Sequence, residues 1–131
     1  FCNERVETSM GSATGYPQHL WKEDPEKTQR YYNHVLQRIG EAPDECTAEI
    51  VAQIISNHLK TRSMLTIIPL QDWFAMDDSI KRKDIESERI NVPANSTHYW
   101  RYRMHITLEQ LLQADNLNNK IVSLIKEAGR K

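Results

Sequence analysis

The sequence has no surplus of either charge, only four glycines, and no apolar run longer than Met64 to Leu70. Each absence excludes something. Seventeen basic residues against eighteen acidic ones leave a formal net charge of −1. A nucleic-acid-binding domain usually carries a basic excess, so no nucleic-acid partner is expected. The Met64 to Leu70 run is far too short to cross a bilayer, so no membrane partner is expected either. The opening "FCNERVETSM" lacks the apolar stretch of a secretory leader, and a cytoplasmic location follows as the expectation. The chain begins at Phe1 rather than Met, which points to an excised piece.

Cysteine is scarce as well. Cys2 and Cys46 read as two reduced thiols, with a single bridge between them as the alternative. Five histidines are scattered. No pair has a helical metal-ligand spacing with a carboxylate partner, so neither metal nor cofactor is expected.

What is present is a single-domain length of 131 residues with 39% apolar and 27% charged residues, large enough for a real core. The first twenty residues, with "SMGSATGYPQH", read as loop chemistry. Asp24 then offers an N-cap, Pro25 suits a first helical position, and Glu26 complements the positive helix start. Tyr31, Tyr32, Val35, Leu36 and Ile39 follow at helical spacing, and Gly40 stands where a helix-ending glycine belongs. A second helix is expected after Thr47, with Ile50, Val51, Ile54, Ile55 and Leu59 on its apolar face.

"SMLTIIPLQDWF" differs in kind. A short apolar run with β-branched residues predicts a strand buried on both faces, with Pro69 near its end. Residues 75 to 98 read as a long polar, charged connection, with room for a turn or two of helix in "DDSIKRKDIESER". Thr107 and Gln110 fit a capping box, and a last helix starts at Asp115 or Asn116 and ends at Gly129. A strand buried on both faces needs neighbours, and the only other candidate, around Arg5 to Ser9, is poor. One strand followed by a loop and closing helices looks like the end of a repeating β/α protein whose other strands lie upstream.

Three motifs then stand in order: Gln71-Asp72; the phrase Arg89-Ile90-Asn91-Val92-Pro93-Ala94; and the run Tyr99-Trp100-Arg101-Tyr102-Arg103. With "WKEDPEKTQRYYNHVL" upstream, they resemble the C-terminal segment of the 4-alpha-glucanotransferases, the amylomaltases or disproportionating enzymes of glycoside hydrolase family 77. The resemblance covers nearly all of residues 20 to 131. It implies an α/β fold: the C-terminal portion of a (β/α)8 TIM barrel, mostly helical on its own with one or two strands. A whole barrel takes about 250 residues, so this chain cannot be one. Residues 1–20 would be an irregular segment after the seventh strand. Residues 21–131 would be the last part of the barrel, with strand eight at 64–74 and an active-site loop at 89–104.

The implied chemistry is retaining transfer of α-1,4-glucan segments between maltodextrins. Two carboxyl groups roughly 5–5.5 Å apart carry out such a double displacement. In the family both lie on middle strands, so no catalytic residue is assigned here and the chain alone is expected to be inactive. The family's third aspartate, in a His-Asp pair, falls at Ser12-Ala13, which has no carboxylate. Either the first twenty residues diverge, or this copy has lost the group, or the register differs there.

The implied substrate-binding residues are Asn91, Arg89, Trp100 and Asp72, and the ligand is maltodextrin or another α-glucan. Each has an ordinary reading beside it. Asn91 can bind a sugar hydroxyl or shape the turn before Pro93. Trp100 can stack on a sugar or pack with Tyr102 on one side of an extended segment. Asp72 can touch substrate or hold Arg89 or a backbone amide. The "KRK" at residues 81 to 83 is bracketed by acids and reads as a solvated face. Asn95-Ser96-Thr97 matches a glycosylation acceptor by coincidence. The alternative function is a non-catalytic carbohydrate-binding or interaction module derived from the family. The expected partners are the remainder of the barrel or, for the isolated piece, another copy meeting its open strand edges.

Overall fold

The computed structural model describes residues 21, 23–88, 96–97, 99 and 102–130, and the elements are helical throughout. Helix α1 (Pro25–Arg30) starts as its sequence dictates. The Asp24 side chain accepts from the Lys27 amide at 3.0 Å, Pro25 sits at the start, and Glu26 occupies the first turn. It does not run on to Ile39. Residues Tyr31–Val35 form a π-helical turn, with the Leu36 amide donating to the Tyr31 carbonyl at 3.1 Å. Such a turn takes in an extra residue and rotates every later side chain out of α-helical register. Leu36 is therefore buried, while Val35 is half exposed and Ile39 fully so. The chain reverses at Gln37, in the left-handed region at φ 53°, three residues before Gly40. Gly40 still uses its freedom, at φ 102°. The Gln29 amide fastens this return, donating to the Gly40 carbonyl and accepting from the Ala42 amide.

The second helix, α2 (Ala48–Leu59), matches its pattern. Thr47 caps it, and Ile50, Val51, Ile54, Ile55 and Leu59 are buried. Side chains of this kind contribute about 1.5–3 kcal/mol each when fully buried. Trp21 closes one side of the core, donating its indole N–H to the Pro43 carbonyl at 2.8 Å and meeting Tyr31 edge-on. Cys46 is free and buried beside this face, and burial pushes its thiol up to about 11. Any pairing with Cys2 falls outside the described residues.

The expected strand is the main correction. No strand occurs among the described residues. The stretch 65–69 is unpaired, with Pro69 in an extended conformation, and Leu70–Phe74 turns into a short helix, α3. Met64, Leu65 and Ile67 are 98%, 70% and 80% exposed. The reason is supply: a strand is held by its neighbours' backbone groups and faces, and none of the described segments offers them. The polar connection expected after α3 begins with a buried turn. Ala75, Met76 and Asp77 are buried. Asp77 accepts from the Ser79 amide and hydroxyl and from the Asn116 side chain, and Lys120 donates to the Met76 carbonyl.

A single helical turn of 3-10 type spans Ile85–Glu88. Helix α4 (Leu108–Leu112) opens with the expected capping box: the Gln110 amide donates to Thr107, and the Gln110 side chain accepts from the Thr107 amide. Helix α5 (Asp115–Glu127) buries Leu117 completely and packs on α2 and α3. It ends at Gly129, φ 67°, where the Gly129 amide donates to the Lys126 carbonyl and the Arg130 amide to that of Ile125. That pair of bonds is a Schellman ending, which needs a left-handed residue and takes glycine most readily.

Candidate functional site

Of the four implied substrate-binding residues, one is described. Asp72 lies in the first turn of α3, its amide donating to the Pro69 carbonyl at 3.1 Å. Its carboxylate is 0% exposed. A charge removed from water to that degree needs polar partners, and Asp72 is not without one. Arg89, Asn91 and Trp100 lie outside the described residues.

The residues that flank this stretch are described, and they come together. The Tyr102 hydroxyl donates to Glu88 Oε2 at 3.0 Å. The Arg82 guanidinium and His105 Nδ1 each stand 3.7 Å from the other carboxylate oxygen, Oε1. On its far side, the His105 ring meets the Ile80 carbonyl through Nε2, at 2.5 Å, and presents its face or edge at right angles to Phe74. Since a carbonyl only accepts, Nε2 carries the proton in that contact. Glu88 Oε1 and His105 Nδ1 are both buried atoms outside hydrogen-bond range of a partner. Burial, then the neighbouring Glu88 charge, pushes the Tyr102 phenol up to about 12, so it is a fixed donor at neutral pH. The ends of the 89-to-101 stretch are thus joined by one hydrogen bond and anchored to the core through Phe74.

Sequence reading did not find this cluster. In the sequence Tyr102 reads as a residue of the aromatic run that stacks or packs beside Trp100, Glu88 lies inside a charged run, and His105 is one of five scattered histidines. A contact between residues fourteen apart has no periodicity to betray it. Among the described residues, no group of three or more His, Cys, Asp or Glu could hold a metal ion. Nor is any described helix long and apolar enough to cross a membrane.

Comparison with known proteins identifies the setting. Residues 15–109 match the family described as 4-alpha-glucanotransferase, glycoside hydrolase family 77. The chain belongs to that family. A glucanotransferase relative, 4-alpha-glucanotransferase DPE2 of Oryza sativa subsp. japonica, is 37% identical over 110 residues. Those residues are 84% of this chain and 12% of the rice protein, so the chain spans about an eighth of the length of its relative. No solved structure matches it. The family segment takes in Asp72, Arg89, Asn91, Trp100 and the whole Glu88 cluster, while most of α4 and all of α5 lie beyond its matched residues.

Proposed function

We propose that this chain is the closing, C-terminal portion of a (β/α)8 barrel in a 4-alpha-glucanotransferase that moves α-1,4-glucan segments between maltodextrins with retention of configuration. Residues 1–20 would follow the seventh strand, and residues 21–131 would complete the barrel. The observation that carries the reading is the 64-to-69 stretch: Met64, Leu65 and Ile67 face outward, while Ile68 packs against the core. An apolar segment with three large side chains exposed in this way fits a strand whose neighbours are supplied by the rest of the polypeptide. Asp72 would stand in the short helix that follows that strand, at the substrate face. It would brace the loop from beneath, and Arg89 and Asn91 would meet sugar hydroxyls while Trp100 stacks or packs. The catalytic carboxylates would come from elsewhere in the protein, which would work in the cytoplasm.

Two measurements on the complete protein test this. Oxidative footprinting should show Met64 protected there and reactive in the isolated chain. Incubation with a single purified maltodextrin should give both longer and shorter products. Met64 equally reactive in both forms would remove the strand assignment. The second reading, a carbohydrate-binding module without catalysis, rests on the count that puts Ser12-Ala13 at the family's His-Asp pair, upstream of the residues matched to the family. Maltodextrin binding with no transfer would select it.

A further inference from the structure

We infer that Arg130 is a positioning residue for the 64-to-72 segment, a role that rests on the glucanotransferase reading above. Its backbone is fixed by the Schellman ending of α5. Its guanidinium crosses to the end of α2, where Nε donates to the Leu59 carbonyl at 2.5 Å. Nη2 donates to the Thr61 and Ser63 carbonyls at 2.9 and 3.0 Å. Both hydrogens of Nη2 are therefore used, and three carbonyls within five residues converge on one planar cation.

The acceptors explain the function. The Leu59 carbonyl is among the last four of α2, which have no partner inside the helix, and a cation there also complements the negative helix end. Thr61 and Ser63 lie outside any helix, and Ser63 immediately precedes the exposed apolar stretch. Arg130 thus fixes the direction in which the chain leaves α2, nine residues before Asp72. Lysine has a point charge in place of a planar fork and cannot hold all three carbonyls in the same geometry. Arg130 lies outside the residues matched to the family.

The test compares Arg130→Met and Arg130→Lys with wild type in the complete protein, reading kcat and KM separately with maltodextrin, per folded molecule. Hydrogen exchange over residues 60–69 is read alongside. A positioning role predicts that Arg130→Met raises KM by about tenfold or more, leaves kcat within about twofold, and speeds exchange at 60–69. Arg130→Lys should restore part of both. A lower melting temperature with unchanged kcat and KM would overturn the inference, leaving Arg130 a stabilising contact only. Unchanged exchange would overturn it as well. An inactive wild-type protein would instead remove the glucanotransferase reading, and with it the positioning role, while exchange would still report whether Arg130 pins the segment.

Discussion

Replacing Asp77 tests how α5 is held against the turn that follows α3. Its residue is 4% exposed. Oδ1 accepts from the Ser79 amide at 2.9 Å and hydroxyl at 2.6 Å, and Oδ2 accepts from the Asn116 amide at 2.8 Å. Only the last bond spans distant parts of the chain. Ser79 and Asn116 are both exposed, so in Asp77→Ala their freed donors can turn to water, and no buried donor is stranded. The loss is then close to one charge-assisted bond, about 1.5–3 kcal/mol, and well short of three. Asp77→Asn separates the contributions further. With its carbonyl kept for Ser79, its new NH2 would face the Asn116 NH2, donor against donor. Asn116 relieves this by turning its amide over, so the variant should lose less than Asp77→Ala.

Hydrogen exchange at the α5 amides in the complete protein reads these differences as local opening. Asp77→Ala should speed it about 10- to 150-fold, the equivalent of that energy range, and Asp77→Asn should speed it less. The pH dependence has a definite sign. The Ser79 hydroxyl first, then the Ser79 amide, Asn116 and the Lys120 charge hold the Asp77 carboxyl below its ordinary range, against the opposing effect of burial. A carboxyl depressed in the folded state stabilises fully above its unfolded pKa, and loses that contribution as pH falls through the lower folded value. The wild-type protein should therefore loosen on acidification more than Asp77→Asn does. Equal exchange in all three proteins, or parallel acid limbs, would refute the reasoning.

Leu117→Ala should destabilise by about 2–5 kcal/mol through the cavity left at a fully buried site, measured by thermal unfolding; a change below 1 kcal/mol would mean that the helices close over the gap. Glu88→Gln and Tyr102→Phe should each raise KM for maltodextrin in the complete protein, because both loosen the same 3.0 Å contact at the ends of the 89-to-101 stretch. The double variant should then lose little more than either single one; additive losses would show that the pair does not act as a unit. Cys46 should resist iodoacetamide at pH 8 until the protein is denatured, since the buried thiol titrates near 11. Rapid labelling of the folded protein, followed by mass spectrometry, would contradict its burial.

What the sequence made legible was local. The Asp24 and Thr47 caps, the apolar face of α2, the Thr107–Gln110 capping box and the Gly129 ending all rest on contacts within a few residues, and all are present. Ile39 and Gly40 misled, because helical spacing cannot reveal a π-turn that shifts the register midway and ends the helix at Gln37. The 64-to-70 run carried a strand's composition, but a strand also needs partners, and none of the described segments supplies them. Site geometry was the least legible. Glu88, Tyr102 and His105 meet only because the chain returns past Phe74, and Arg130 reaches back some seventy residues to the end of α2. Family membership, by contrast, was readable from motif order alone, since Gln71-Asp72, the Arg89-to-Ala94 phrase and the Tyr99-to-Arg103 run keep their sequence even where no fold can be derived from them.

The central claim is that this chain completes a glucan-transferring barrel. Its most direct test is to incubate the complete protein with one purified maltodextrin and resolve the product lengths and the anomer formed. The account predicts a ladder of longer and shorter α-1,4-glucans with configuration retained, and loss of that ladder when residues 64–131 are deleted. Products that are only shorter, or an unchanged ladder without those residues, would contradict it.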